Sequence, residues 1–127
     1  MARILLAEDD GSMLEFLTQA LEKADHDVTA TNDGLSALEE LENGEKFDLL
    51  LTDIVMPGRR QGTDLAKELR ERTPDLPAIF LSGYAAEATV HGNGLRPDDI
   101  RLMKPVARRD LLLAVEKAIA SKNNRTS

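Results

Sequence analysis

Ile4-Leu5-Leu6-Ala7-Glu8-Asp9-Asp10 places four apolar residues directly before three acids near the start of the chain. An apolar run of this length, bounded by polar residues, reads as a buried strand. The pattern recurs. Leu49-Leu50-Leu51-Thr52 ends in Asp53, Ala78-Ile79-Phe80-Leu81 ends in Ser82, and a fourth stretch ends in Lys104-Pro105. Apolar residues at three- and four-residue spacing lie between these runs and mark helices. Strands that alternate with helices imply right-handed crossovers and a parallel sheet with helices on both faces. Leu49-Leu50-Leu51 and the 78–81 run are apolar on both faces, as a covered sheet requires. In such a sheet the strand C-termini share one edge, where ligands bind. Carboxylates, a hydroxyl and a lysine therefore converge there, the set needed for metal-assisted phosphoryl transfer.

Working outward, the expected fold is α/β, a single doubly wound sheet of five parallel strands over about residues 2–7, 26–31, 47–52, 77–82 and 99–103. The first helix carries Leu14, Leu17, Leu21 and Ala24 on one face, and the second carries Leu35, Leu38 and Leu41 before an Asn43-Gly44 C-cap. Leu65, Ala66 and Leu69 mark the third, which ends before Pro74. Residues 84–90 read as two helical turns interrupted by Gly92 and Gly94. The last helix is expected to bury Leu112, Val115 and Ile119, flanked by Leu111 and Ala118. One domain over 1–121 and a fraying polar tail over 122–127 account for the whole chain.

Composition narrows the function. A chain of 127 residues, 42% hydrophobic, forms about one domain with a substantial core. It has no cysteine, which excludes disulfides and thiolate metal sites. Net charge is −7 and the pI near 4.8, against sequence-independent nucleic-acid binding. No run approaches the roughly 20 apolar residues of a membrane helix, and no signal peptide is present, so a cytoplasmic location is expected.

Each site residue has a chemical reason. Glu8 and Asp9 are the pair best placed to face the sheet edge, with Asp10 starting the loop. Mg²⁺ favours a few carboxylate oxygens and retains several waters. Carboxylates gathered near Asp53 repel one another unless a cation sits among them. Asp53, at a strand terminus beside such a metal, can act as a nucleophile toward a phosphoryl group. Lys104 supplies a point charge for the phosphoryl oxygens. Ser82 either donates its hydroxyl to them or caps the helix that follows. Glu8-Asp9-Asp10 taken alone also reads as an acidic first turn that favours a helix dipole.

Taken together, ILLAEDD, LLLTDIVMPG, FLSG and MKP, in this order and spacing, resemble a response-regulator receiver domain over about residues 2–120. The resemblance implies a CheY-like (βα)5, flavodoxin-like fold. It also implies that Asp53 is the phosphoacceptor, and that Glu8, Asp9, Asp53 and the Val55 carbonyl hold Mg²⁺. Ser82 then matches the switch hydroxyl and Lys104 the lysine that pairs with the phosphoryl group, with a candidate cis bond at Lys104-Pro105. The implied donor is a histidine kinase or a histidine phosphotransfer protein.

Several positions depart from the family pattern. Arg101 stands where many receivers carry an aromatic that rotates inward on activation. The loop from Pro57 to Gly62 is one residue longer than in chemotaxis-type receivers. That loop and Ser82-Gly83-Tyr84-Ala85 are more similar to receivers of hybrid histidine kinases. Val55 cannot hydrogen-bond an attacking water, so slow self-dephosphorylation is expected, and Tyr84 adds possible shielding. Gly92 and Gly94 imply a mobile segment before phosphorylation.

With no output domain visible, the expectation is a stand-alone regulator that acts through protein contacts, though a piece of a hybrid kinase stays open. The surface over 84–119, including Arg108 and Arg109, is the candidate for a downstream acidic partner or a second copy. A monomer or a phosphorylation-dependent dimer is expected, without direct nucleic-acid or membrane binding. Two alternatives stand beside this. One is an interaction module with a receiver fold that works without phosphorylation. The other is an aspartyl-nucleophile phosphatase, which typically needs a second acid where this chain has Val55.

Overall fold

A computed structural model of the protein describes residues 2–54, 62–83, 96 and 99–126. The elements are β1 (Arg3–Ala7), α1 (Gly11–Lys23), β2 (Asp27–Thr31), α2 (Gly34–Glu42), β3 (Leu49–Asp53), α3 (Gly62–Arg72), β4 (Ala78–Ser82), β5 (Ile100–Met103) and α4 (Arg108–Thr126). The five strands form one sheet in the order β2-β1-β3-β4-β5, every pairing parallel. The expected fold class holds, and each strand lies within two residues of its expected bounds.

Strand side chains alternate between faces, and this divides the core in two. Ile4, Leu6, Leu49, Leu51, Ile79 and Leu81 face α1 and α4, packing on Leu17, Leu21, Leu111 and Val115. Leu5, Leu50, Ala78 and Phe80 face the other layer, against Ala37 of α2 and Leu65, Ala66 and Leu69 of α3. All five residues of β3 and all five of β4 are buried, so both central strands are covered on each face. Truncating a leucine there to alanine costs about 2–5 kcal/mol.

Helix starts follow local chemistry. Asp10 caps α1 by accepting from the Ser12 N–H at 3.0 Å, and Asp33 caps α2 by accepting from the Ser36 N–H at 2.7 Å. Asn43 caps the end of α2, and Gly44 follows at φ +90, a value that favours glycine.

Three helical details differ from the sequence reading. In α2, Leu35 is 59% exposed while Ala37 is fully buried, because the helix presents the 34/37 side to the sheet and leaves Leu38 and Leu41 at its margin. In α4 the buried stripe is Leu111, Ala114, Val115 and Ala118, with Leu112 and Ile119 only partly covered. Small alanines set that face closest to the sheet. α4 also continues through Thr126, past the expected fraying point, since no Gly or Pro follows Pro105 to stop it. The predicted turns over 84–90 and the glycines at 92 and 94 lie outside the described residues.

Candidate functional site

The candidate side chains sit at the C-terminal edge of the sheet, and neighbouring strands fix them. Glu8 follows β1, and its N–H donates to the Thr31 carbonyl at 3.1 Å. Thr31 Oγ1 donates in turn to the Leu6 carbonyl at 2.7 Å, so the end of β2 holds the end of β1. Asp53 is the last residue of β3 and only 2% exposed. Ser82, buried, ends β4, and its carbonyl accepts the Lys104 N–H at 2.7 Å. Lys104 leaves β5 through a cis Lys104–Pro105 bond. Its Nζ lies 2.7 Å from Asp53 Oδ1 and 2.9 Å from Glu8 Oε1. Glu8, Asp9 and Asp53 each offer a carboxylate oxygen within 4.8 Å of the others.

This grouping is electrostatically tense. Burial raises the Asp53 acid, Glu8 raises it further, and Lys104 opposes both without cancelling them; the carboxyl is pushed up to about 8. Burial alone lowers Lys104, yet Asp53 and Glu8 outweigh it, and the ammonium is held above its usual value. Glu8 Oε1 and both Asp53 oxygens are buried with no well-directed hydrogen bond, so Lys104 holds its two carboxylates by charge. Asp53 Oδ2 in particular awaits a partner among the described residues. An all-oxygen donor set, one member exposed at Asp9 and one carrying an unpartnered buried oxygen, fits a small hard cation such as Mg²⁺.

Thus the structure brings Glu8, Asp9, Asp53 and Lys104 together and sets Ser82 at the adjoining strand end. Asp10 is the α1 cap rather than a member of the site. The Val55 carbonyl, Tyr84 and the loop from Pro57 to Gln61 lie outside the described residues. Arg101 lies exposed on β5 in register with Phe80.

Sequence reasoning passed over two features, one beside Asp53 and one at the opposite edge of the sheet. Gly62 starts α3 against the end of β3, its N–H donating to the Ile54 carbonyl at 2.8 Å. A Cβ on Gly62 falls 1.7 Å from the Asp53 carbonyl oxygen, so no other residue fits unless the backbone moves. A glycine at the head of an apolar-periodic helix was the available signal. The second feature is a buried Arg70–Asp99 ion pair. Arg70 falls on the apolar stripe beside Ala66 and Leu69, and a charge on such a stripe marks a buried partner.

Comparison with known proteins agrees with this geometry. The model of the response regulator receiver domain matches residues 4–116. The chain belongs to the response regulator receiver family. It is 47% identical over 119 residues to the response regulator receiver protein CpdR of Brucella abortus, covering 94% of this chain and 98% of that one. Identity to the sensor kinase CckA of the same organism is 33%, covering 93% of this chain but 12% of the kinase. A receiver protein from Sinorhizobium medicae superposes with a TM-score of 0.86 at 32% identity, over 94% and 95% of the two chains. A CheY-like receiver from Methanospirillum hungatei does so at 0.85 and 30%, over 98% of each. Overall identity is thus higher to a receiver protein matched along nearly its full length than to the kinase. This is a family of signalling proteins. Among the described residues, no helix is long and apolar enough to cross a membrane.

Proposed function

We propose that Asp53 accepts a phosphoryl group from a phosphohistidine and that the modified protein signals through altered protein contacts. The observation that carries this is a buried Asp53 with Lys104 Nζ at 2.7 Å and two further carboxylates within 4.8 Å. One Asp53 oxygen attacks phosphorus as the P–N bond to the donor histidine breaks, and the imidazole leaves with a proton. Attack requires the carboxylate, while burial favours the acid near neutral pH. Glu8, Asp9 and Asp53 are the residues that would hold Mg²⁺. When bound, the ion favours the ionised carboxylate and offsets charge on the phosphoryl oxygens. Lys104 already sits against Asp53 Oδ1 and follows the charge onto the phosphoryl group. Ser82, from the adjoining strand end, supplies a hydroxyl donor.

The donor in this reading is a histidine kinase or histidine phosphotransfer protein, and the setting is the cytoplasm. The output surface includes the start of α4, where Arg108 and Arg109 are exposed and favour an acidic partner. Intact-mass analysis after incubation with acetyl phosphate tests the central step. One Mg²⁺-dependent phosphoryl adduct, absent in Asp53→Ala, is the expected result. No adduct under conditions that label a control receiver would leave an interaction module that works without phosphorylation.

A further inference from the structure

One buried ion pair plays no part in the carboxylate site. Arg70, near the end of α3, and Asp99, directly before β5, have side chains only 4% and 2% exposed. Arg70 Nη1 donates to Asp99 Oδ2 at 2.9 Å and Nη2 to Oδ1, a two-pronged contact that fixes orientation as well as distance. Its Nε donates to the Leu76 carbonyl at 3.0 Å, between α3 and β4. The Arg96 N–H donates to Asp99 Oδ2 at 2.7 Å, and Arg96 Nη1 reaches the Pro74 carbonyl at 2.6 Å. The entry to β5 is therefore tied to the turn that follows α3.

Buried ion pairs are poor devices for stability alone, since well-packed apolar replacements are often as stable or more so. What such a pair does supply is a fixed position, and β5 needs one. It is a four-residue edge strand paired only with β4, and its residues alternate between half-buried and exposed. Short edge strands with little buried surface specify their register weakly. Register here decides where the lysine falls. With Ile79 opposite Ile100 and Ser82 opposite Met103, the Lys104 N–H meets the Ser82 carbonyl at 2.7 Å and its Nζ meets Asp53 at 2.7 Å. A one-residue slip moves the strand by about 3.3 Å and turns each side chain to the other face. Either change breaks the contact between Lys104 and Asp53.

We infer that Arg70 is a positioning residue for phosphoryl transfer: its ion pair with Asp99 pins the start of β5 and thereby sets Lys104 against Asp53. The inference rests on Asp53 being the phosphoacceptor. The pinning acts through the lysine, so its signature is dependence on Lys104.

The test is a mutant cycle in the full chain, with acetyl phosphate and Mg²⁺ and the initial rate of adduct formation read by intact mass. Arg70→Met alone strands a buried aspartate, so the main variant is Arg70→Met with Asp99→Leu. Arg70→Lys, which keeps the charge pair but loses the two-pronged contact, is the second variant in case the first fails to fold. The expected rate loss is about tenfold for the pair, below the roughly hundredfold that a 1 Å misplacement can cost, and smaller for Arg70→Lys. Neither change should lower the rate further in a Lys104→Met background, because contacting groups that act in series are non-additive. In the metal-free protein, amide exchange at Lys104 should speed up while the amides of Leu50 and Leu51 keep their protection. An unchanged rate in the folded variants, or the same fold-loss with and without Lys104, overturns the inference. If the wild-type chain takes up no phosphoryl group, the phosphoacceptor reading fails and this inference fails with it. If the wild type labels and the variants match it, only this inference fails.

Discussion

Two clusters of one cation and two carboxylates, around Arg3 at the start of β1 and around Lys104 at the C-terminal edge of the sheet, behave in opposite ways. At the N-terminal end, Arg3 Nη2 lies 2.5 Å from Glu45 Oε2 and its Nε 3.4 Å from Asp27 Oδ2, with the guanidinium 5.5 Å from the Phe47 ring centre. Those three charged side chains are 39–55% exposed, so water solvates each one and the pairing adds little. At the C-terminal end, Lys104 likewise contacts two carboxylates, but Glu8 is 0% and Asp53 3% exposed at the side chain. There the cation does not offset burial, and the Asp53 acid rises to about 8. The same count of charged partners gives a relaxed surface cluster at one end and a tense buried one at the other. Burial rather than the count of partners sets the difference between the two.

The largest expected effect removes the acceptor at the tense end. Asp53→Asn abolishes the phosphoryl adduct in intact-mass analysis and, by deleting a destabilised buried acid, raises the melting temperature of the metal-free protein at pH 8. Lys104→Met comes next. The rate of adduct formation should fall by about 10²–10³-fold, as when one preorganised charge-stabilising donor is lost. Its stability cost should be about 1–3 kcal/mol in denaturant titrations. That lies below the roughly 3–5 kcal/mol of a fully buried broken pair, because the Lys104 side chain is 29% exposed and Asp53 can take up a proton.

A pH series sharpens the contrast further. A carboxyl whose folded pKa is raised binds more protons folded than unfolded, so its contribution is present in acid and lost on deprotonation. The Asp53 contribution to metal-free stability should therefore decline as pH rises from about 4 to 8, the window between the ordinary and the raised value, so the wild type loses stability relative to Asp53→Asn across it. His26, lowered by burial, works in the opposite sense in this window, and the comparison with the variant cancels it. The raised Lys104 titrates above this window and leaves it unchanged. The smallest effect belongs to the other end. Glu45→Gln should shift the melting temperature near the limit of resolution, and 1 M salt should erase the shift. A large effect there, or a stability gap between wild type and Asp53→Asn that does not change with pH, would remove the distinction between the two clusters.

Much of this was legible in the chain before any coordinates. Strand-length apolar runs ending in Asp53, Ser82 and Lys104 are enough to place those residues on one edge, because parallel topology collects strand C-termini. Helix faces were less legible. Leu35 looks like core by spacing alone, but Ala37 is buried instead, since tertiary packing turns the 34/37 side of α2 to the sheet. Gly62 and the Arg70–Asp99 pair were missed for a related reason. The glycine heading α3 and the arginine on its apolar stripe mark each feature locally, but what each one meets depends on distant segments, and spacing does not carry that information.

The most direct test follows the Asp53 side-chain carboxyl by ¹³C NMR through a pH titration of the metal-free protein, and repeats it with saturating Mg²⁺. The account expects a midpoint of about 8 without the ion and a clear fall with it. A midpoint near the ordinary 3.8 of an aspartate, unmoved by Mg²⁺, would contradict the claim that burial holds this carboxyl as the acid until a cation ionises it.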